Sequence, residues 1–323
     1  ECVAAEDPGY SYETTETAWH VLTDFLLPAV VGTDFDAPER VLEPAAWVRG
    51  HAMAKAAVEM AAWDLDARAR GVSLAERLGG ERERVPVGVS VGLQPDDETL
   101  LDRVATYVAE GYARIKIKIK PGRDAPMLRR VREAFPDVAL MADANSAYTL
   151  ADLDVLRALD DLDLMMIEQP LAHDDVLDHA RLQAELATPI CLDESVRSLH
   201  DARLALELGA CRIVNIKPGR VGGLASALAI AGFCRARGVP VWCGGMLESG
   251  VGRAHNVALA STAGFTLPGD ISASRRYWEE DIVEPEFTVE DGTMAVPREP
   301  GIGVRPRRDR IDALTVRTVT LRG

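Results

Sequence analysis

Five ionisable residues recur at a nearly constant interval along the middle of the chain. Intervals of 25, 25, 25 and 24 residues separate Lys118, Asp143, Glu168, Asp193 and Lys217. Three carboxylates that met at one point would repel one another strongly unless a cation lay between them. Oxygen ligands suit Mg²⁺, with Mn²⁺ or another divalent ion as a substitute, and no histidine or cysteine stands at these positions in the spacing that zinc favours. The series predicts a divalent metal site of three carboxylates flanked by two lysines.

The lysines predict proton transfer beside that metal. In the run RIKIKIK (114–120), Lys116 and Lys118 fall on one face of a strand and the isoleucines on the other. Clustered ammonium groups lower one another's pKa, and a neutral amine can act as a base near pH 7. Lys217 would come from a strand on the far side, so that a substrate carbon has one lysine on each face. This pattern indicates removal of a proton α to a carboxylate, with the metal stabilising the enolate.

The second lysine leaves two reactions open. It would either return the proton to the opposite face, which is racemisation, or stabilise charge while a β-hydroxyl group leaves. Two other classes of protein share parts of the pattern. A Schiff-base lyase would use a buried lysine but would not need three carboxylates in register. A non-catalytic metal-binding barrel would keep the carboxylates but has no reason to place lysines on both faces.

The elements that must position these residues alternate between strand and helix patterns. Helical stretches separate short apolar or β-branched runs at 85–92, 114–120, 138–145, 164–170, 188–195, 212–219 and 239–246, with a weaker run at 264–270. Such alternation predicts a parallel sheet. An open sheet would normally carry a glycine-rich phosphate turn, and no GxGxxG occurs. A (β/α) barrel is therefore predicted, with the five residues at the C-terminal mouth of its strands.

The two ends of the chain differ from this repeat. Residues 51–70 have an alanine-rich helical pattern, and Ser73 with Glu76 forms a capping-box pattern. Residues 286–297 have the pattern of a hairpin that turns at Asp291–Gly292. We expect the N-terminal part of a capping domain at 1–84, the catalytic barrel at 85–270, and a C-terminal segment at 271–323 that returns to the cap.

Composition limits the class of partner. The chain has 51 acidic and 36 basic residues and a formal net charge of −15, whereas a nucleic-acid binder needs a basic surface. No apolar run approaches the ~18 residues of a membrane span. The five cysteines form no CxxC pair, which favours a reduced, cytoplasmic compartment. The expected partner is a small-molecule carboxylate, without nucleic acid or membrane.

The ordered motifs resemble those of the enolase superfamily, in its muconate-lactonizing-enzyme-like subgroup. They are KIK at 116–118, DAN at 143–145, IEQP at 167–170, LDES at 192–195 and NIKPGRVGG at 215–223. The resemblance implies a modified (β/α)7β barrel with an α+β capping domain built from both chain ends, and the Mg²⁺-assisted enolate chemistry of that superfamily. It also implies that the first strands and a mobile loop of the cap are missing ahead of Glu1, and that the protein is a homo-oligomer.

Within the subgroup, GRVGG at 219–223 and the stretch 242–261 resemble o-succinylbenzoate synthases and N-acylamino acid racemases. The resemblance implies that Asp143, Glu168 and Asp193 are the metal ligands and that Lys118 and Lys217 are the acid/base pair. The substrate contacts that it implies are Lys116, Asn145, Ser90, Asn215, Arg220, Gly245 and Met246, with Tyr10 as a candidate from the cap. Glu248 would orient Lys217 or cap the helix that begins near Ser249.

The expected function is therefore that of an N-succinyl- or N-acylamino acid racemase, an o-succinylbenzoate synthase that dehydrates its substrate in menaquinone biosynthesis, or both. Dipeptide epimerases and other muconate-lactonizing-type enzymes are the alternatives. Epimerases typically recognise an amino group with an acidic motif after the eighth strand, and Gly269–Ile271 holds a single acid there. All six histidines fall in helical or loop patterns, which disfavours a mandelate-racemase-like histidine base.

Overall fold

Seven parallel strands form the central sheet, and their order across the sheet equals their order along the chain. The structure is a computed structural model that describes residues 1–321. Its strands are β1 Arg84–Pro86, β2 Gly88–Val91, β3 Arg114–Lys118, β4 Leu140–Asp143, β5 Ile167–Glu168, β6 Ile190–Leu192, β7 Ile213–Ile216, β8 Val241–Cys243, β9 Val283–Glu284, β10 Thr293–Ala295 and β11 Arg305–Pro306. Strands β2 to β8 make the parallel sheet, as the alternating pattern predicts.

The segment 265–270 closes this sheet into a ring. Phe265 bridges to Val241 of β8, and Gly269 bridges to Val87, next to β2, both in parallel orientation. The Gly88 amide donates to the Gly269 carbonyl at 2.7 Å. The eighth strand expected at 264–270 is thus present only as isolated bridges. Pro268 lies between them, and because proline has no N–H it cannot continue a ladder.

Helices surround the ring, because each parallel connection needs a crossover of a dozen or more residues. The α-helices are α1 Thr15–Val21, α2 Leu27–Val30, α3 Ala52–Arg70, α4 Leu74–Arg77, α5 Asp97–Ala109, α6 Ala125–Ala134, α7 Leu153–Arg157, α8 Val176–Glu185, α9 Leu199–Glu207, α10 Pro218–Val221, α11 Leu224–Arg235, α12 Gly250–Ala260 and α13 Arg308–Leu314. A π-helical turn at Leu22–Leu26 joins α1 to α2, and 3-10 turns lie at Pro38–Arg40, Glu43–Ala45, Leu150–Asp152, Asp160–Leu162 and Ser274–Arg276. Among residues 1–321, no helix is long and apolar enough to cross a membrane.

Side-chain alternation along the strands separates an inner and an outer core. Ile115 and Ile117 are buried in the large cluster that includes the surrounding helices. A separate small cluster contains Met141 of β4, Met166 directly before β5, and Trp242 of β8. Residues of one strand point alternately to opposite faces, so Lys116 falls on the same face as this inner cluster. Its ammonium lies 5.2 Å from the centre of the Trp242 ring.

The N-terminal segment forms a smaller unit, the cap, which the C-terminal segment contacts. Helices α1 and α3 share a buried cluster with the segment between them, while β1 pairs with β10 and β9 with β11. The Leu74 amide donates to the Gly301 carbonyl at 2.6 Å, which ties the C-terminal segment to α4. The expected turn at 291–292 is present, since Glu290 and Thr293 form an antiparallel bridge. The hairpin itself is wrong, because β10 pairs with β1 and the Phe287 amide donates to a side chain elsewhere, Ser274 Oγ.

Candidate active site

The strand register brings the five spaced residues to one end of the ring. Lys118 is the Cα partner of Asp143, and Asp143 is the partner of Glu168. Asp193 directly follows β6, and Lys217 directly follows β7. The three carboxylates are at most 1% exposed. The constant spacing thus gives Lys118, Asp143 and Glu168 one common register level, and it places Asp193 and Lys217 just beyond the C-terminal ends of their strands.

Each buried carboxylate is paired with an amine. Lys118 Nζ lies 2.6 Å from Asp143 Oδ2, and Lys217 Nζ lies 2.8 Å from Asp193 Oδ2. Lys116 Nζ lies 2.9 Å from Glu168 Oε2 and 3.0 Å from Asp143 Oδ2. An unpaired charge at such depth would be strongly destabilising. Pairing therefore offsets the free-energy cost of burying the carboxylates and the ammonium groups inside the ring.

For Lys116 and Lys217, these pairs overturn the expectation that clustering lowers the pKa of the amine. Burial would lower the pKa of Lys116, but the charges of Asp270, Glu168 and Asp143 outweigh it and raise the pKa. Burial likewise opposes the charged form of Lys217, yet its acidic surroundings raise that pKa as well. Electrostatic attraction at short range exceeds the repulsion between amines that are farther apart.

The donor set fits a divalent cation. In the part of the chain that the structure describes, no three His, Cys, Asp or Glu side chains are already grouped as a metal site. Burial and the neighbouring charge of Asp143 raise the pKa of Glu168, however, while Lys116 and Lys118 outweigh burial and lower the pKa of Asp143. Two adjacent buried carboxylates of this kind repel each other, and a cation would relieve that repulsion as the ammonium groups do. Carboxylate oxygens are the ligands that Mg²⁺ prefers.

A cavity of about 730 Å³ opens above these groups. Of the predicted site residues, its lining includes Lys118, Lys217, Ser90, Lys116, Asn145, Gly245 and Met246. On the cap side the lining includes Tyr10, and near the rim it includes Leu247 and Trp278. A volume of this size suits a small organic molecule. Both lysines of the predicted acid/base pair therefore face one space that can hold a substrate.

Two family models match the chain. The N-terminal domain of mandelate racemase/muconate lactonizing enzyme matches residues 5–79, and the enolase C-terminal domain-like model matches residues 99–310. The chain belongs to the mandelate racemase/muconate lactonizing enzyme group of the enolase superfamily. It is therefore an enzyme of the class that the motifs indicate.

Similar proteins within this superfamily carry two kinds of name. An o-succinylbenzoate synthase of Geobacillus kaustophilus is 56% identical over 315 residues, covering 98% of this chain and 84% of that protein. An N-succinylamino acid racemase of Thermus thermophilus is 52% identical over 309 residues, covering 96% of this chain and 84% of that protein. A crystal structure of an enolase superfamily member from Listeria innocua superposes with a TM-score of 0.93 at 47% identity, covering 97% of this chain and 84% of that one.

Asn215, predicted to contact the substrate, lies beneath the cavity. It is fully buried, and its Nδ2 donates to Glu168 Oε1 at 2.7 Å. Its position two residues before Lys217 on β7 puts it on the same face but one step deeper in the ring. Asn215 therefore orients a carboxylate and does not line the cavity.

Arg220, also predicted as a substrate contact, is held by hydrogen bonds and an ion pair within the protein. Its guanidinium donates to Val196 O at 2.9 Å and to Asn215 O at 2.5 Å, and it pairs with Asp193. It lines a neighbouring cavity of about 420 Å³ and not the one that holds the lysines. Arg220 therefore pairs with a neighbouring acid and does not face the cavity of the two lysines.

Glu248 has neither of its expected contacts. Its Oε1 accepts the Met246 amide at 2.9 Å and the Asn256 side chain at 2.8 Å. Ser249 is the residue that caps α12, through its hydroxyl and the Val251 amide. Because Glu248 follows the tight turn at Met246, its carboxylate reaches back to that turn and not across to β7.

The sequence analysis missed one acid at the cavity, Glu194, and mentioned another, Asp270, without giving it a role. Asp270 lies 2.5 Å from Lys116 Nζ and 2.5 Å from Arg114 Nη2. Glu194 Oε1 accepts Asn145 Nδ2 at 2.8 Å, while its Oε2 has no partner in the described structure. The signal for Asp270 was its place at the end of the eighth run. No sequence pattern predicts Arg114 as the partner of Asp270, because these two residues meet only where the ring closes.

Tyr10 brings the cap into the site. Lys217 Nζ donates to the Tyr10 hydroxyl at 3.0 Å and lies 4.3 Å from the centre of its ring. The same hydroxyl donates to Asp193 at 3.2 Å. Asn145 makes a comparable link on the other side, where its Oδ1 accepts a hydrogen bond from Lys118. Each of the two lysines thus has a neutral partner in addition to its carboxylate.

Proposed function

We propose that the protein catalyses metal-dependent abstraction of the α-proton of a carboxylate substrate, as an N-succinyl- or N-acylamino acid racemase, an o-succinylbenzoate synthase acting in menaquinone biosynthesis, or both. One observation carries the proposal: Lys118 and Lys217, from strands that lie four places apart in the sheet, line the same cavity. In a ring of eight positions, such strands face each other. A substrate carbon between them has an amine on each side.

The lysines would move the proton. In one direction Lys118 Nζ accepts the α-proton and Lys217 Nζ donates one to the opposite face, and in the other direction the roles exchange. Each amine has to be neutral when it accepts, and the carboxylates beside it stabilise the ammonium that forms. In dehydration, one lysine accepts the proton while the other stabilises the charge that develops as hydroxide leaves. Racemisation and dehydration share the first step.

Asp143, Glu168 and Asp193 would hold the cation, which we infer to be Mg²⁺. Bound there, it would supply a positive charge for the substrate carboxylate as negative charge develops on it. Lys116 reinforces this field, since its ammonium faces the cavity and is held by Asp270 and two of the proposed ligands. Asn215 and Arg220 keep the carboxylates in place from behind.

The turn at 244–246 is shaped to approach this site closely. A Cβ on Gly244 would lie 2.8 Å from Lys217 Cε, and one on Gly245 would overlap the Asp270 carbonyl oxygen. Glycine alone permits this approach without displacing its neighbours. The backbone at Gly245 is thereby available to contact a bound acyl group, as the motif resemblance implies, whereas the Met246 amide is already donated to Glu248.

Epimerisation of a dipeptide is less well supported. A free amino group recognised after the eighth strand would need an unengaged carboxylate at that place, but Asp270 is already paired with Lys116 and Arg114. These two cations outweigh burial and hold the pKa of Asp270 below its ordinary range. An N-acylated substrate has no ammonium group to satisfy. We therefore infer that the substrate amine is acylated.

The test is α-proton exchange in D₂O with N-succinylamino acids, run beside dehydration of the hydroxylated precursor of o-succinylbenzoate. Lys118→Ala and Lys217→Ala should each lose racemisation by about 10²-fold or more. Lys120→Ala is the matched control, because Lys120 belongs to the same run RIKIKIK (114–120) but is exposed and lies outside the cavity. If the parent protein neither exchanges deuterium nor dehydrates the precursor, the proposal is wrong.

We further infer a cytoplasmic protein, and from the motif resemblance alone a homo-oligomer. All five cysteines are free thiols, and four of them, Cys191, Cys211, Cys234 and Cys243, are buried, which suits a reducing compartment. Light scattering coupled to gel filtration would measure the oligomeric state, and a single species of 35.0 kDa would contradict the oligomer.

A further inference from the structure

Glu59 is a buried carboxylate of the cap that contacts the barrel outside the lining of the cavity. It lies in the middle of α3 and is 4% exposed. Its Oε2 accepts the Leu224 amide at 2.8 Å and its Oε1 accepts the Ala225 amide at 2.9 Å. The Trp63 indole, one turn along α3, donates to Oε1 at 2.7 Å. A side chain of the cap thus caps the first turn of barrel helix α11.

The barrel backbone is shaped to receive this carboxylate. Gly222 and Gly223 precede α11 with φ values of 91° and 125°, a region that disfavours side chains. A Cβ on Gly223 would lie 2.6 Å from Glu59 Cδ and closer still to Oε2. Two glycines therefore serve both the reversal of the chain and the close approach of Glu59.

The same short segment carries Lys217. Between the end of β7 and the start of α11 lie Lys217, the single turn of α10 and the two glycines. Its first end is fixed by Lys217 and Arg220, which both contact Asp193. Its second end is fixed by Glu59. Lys118 belongs to β3 and has no part in this segment.

We propose that Glu59 is a positioning residue for Lys217: by anchoring the far end of residues 217–225, it sets where that ammonium stands relative to the substrate. This inference rests on the proposed function, in which the two lysines serve opposite faces of the carbon. Loss of the anchor frees a segment whose paired glycines give it little stiffness of its own. Loss of the anchor should slow proton transfer at Lys217 and should slow proton transfer at Lys118 much less.

The experiment measures α-deuterium incorporation separately for the two enantiomers of one N-succinylamino acid. Lys118→Ala and Lys217→Ala first assign which enantiomer depends on which lysine. Glu59→Gln keeps the size of the side chain but presents an amide NH₂ to one of the two backbone donors. We expect Lys217-dependent exchange to fall about 10- to 100-fold more than Lys118-dependent exchange, with KM changed less than about twofold because no substrate contact is removed.

Asp160→Asn is the matched control. Asp160 also accepts two successive backbone amides, of Ala187 at 3.0 Å and Thr188 at 2.8 Å, but these precede β6 at the opposite end of the barrel. This variant should lose stability without favouring one enantiomer. Equal loss of both exchanges in Glu59→Gln, in proportion to its loss of stability, would show that Glu59 is merely structural and would overturn the proposal.

Two further measurements test the anchoring if the Glu59→Gln variant does not fold or if the parent shows no exchange. If Glu59→Gln does not fold, Trp63→Phe removes one of the three donors to the carboxylate and should give a smaller asymmetry in the same direction. Amide hydrogen exchange of the peptide spanning 218–227, without substrate, should be faster in the variant than in the parent. If the parent exchanges neither enantiomer, the proposed function fails, and the amide measurement still decides the anchoring: unchanged protection would refute it.

Discussion

Substitution of Gly244 by alanine tests how closely the turn at 244–246 must approach the catalytic lysine. A Cβ there would lie 2.8 Å from both Asn215 Nδ2 and Lys217 Cε, and closer still to Asn215 Oδ1. Asn215 is fully buried and bonded to Glu168, so it cannot move aside without breaking that hydrogen bond.

The expected cost follows from these contacts. Overpacking a filled site costs about 1–3 kcal/mol, and loss of a hydrogen bond to a charged group adds about 1.5–3 kcal/mol. Gly244→Ala should therefore lower the free energy of unfolding by roughly 3 kcal/mol. It should also lower α-proton exchange by about 10- to 100-fold, because the lysine is displaced from its partner carboxylate.

Urea unfolding and deuterium exchange would measure both effects. Gly232→Ala is the control: Gly232 lies in α11, with no neighbouring atom within 4 Å of the position that an alanine methyl group would take, and alanine there should stabilise the helix by about 1 kcal/mol. A Gly244→Ala protein with parental stability and exchange would show that the close approach at the turn carries no constraint, and the reasoning would be wrong.

Two other predictions concern the metal and the dependence of stability on pH. In the Asp143→Asn variant, we expect loss of metal-dependent exchange and of the upward shift in melting temperature that added Mg²⁺ gives the parent. In the parent, EDTA should remove both effects reversibly. A full shift in melting temperature in the variant would exclude Asp143 as a ligand. His179 is buried, and burial lowers its pKa below the ordinary value; its Nε2 accepts the Leu171 amide at 3.2 Å, which requires an unprotonated nitrogen. Its contribution to stability should be complete above about pH 6.5 and lost as the pH falls. His179→Gln should therefore show a shallower decline in unfolding free energy from pH 7 to pH 5, by up to about 1.4 kcal/mol per pH unit; parallel curves would contradict this assignment.

Much of the fold follows from local patterns. Alternating apolar runs and amphipathic stretches predict the seven parallel strands, and β-alternation predicts that Lys116 faces inward while Ile115 and Ile117 pack under helices. The weaker eighth run failed as a strand because Pro268 interrupts it. The hairpin near residue 291 failed because the pairing of β10 with β1 joins segments about 200 residues apart, which no local pattern encodes.

The candidate site shows the same division. Regular spacing is sufficient to place Lys118, Asp143 and Glu168 at one level, since neighbouring parallel strands share a register. It does not predict which groups pair. The raised pKa of Lys217, for example, depends on acids and a tyrosine contributed by three other parts of the chain.

The sequence by itself determined the repeat, the level of each charged residue along its strand, and the family to which the chain belongs. These depend on periodicities of a few residues and on motifs at single strand ends. Both are set by distance along the chain. Only the tertiary structure decided the depth of Asn215, the pairing of Asp270 with Arg114, and the reach of Glu59 into the barrel. Those contacts join segments that are brought together by closure of the ring and by docking of the cap, so their partners are fixed by three-dimensional packing and not by distance along the chain.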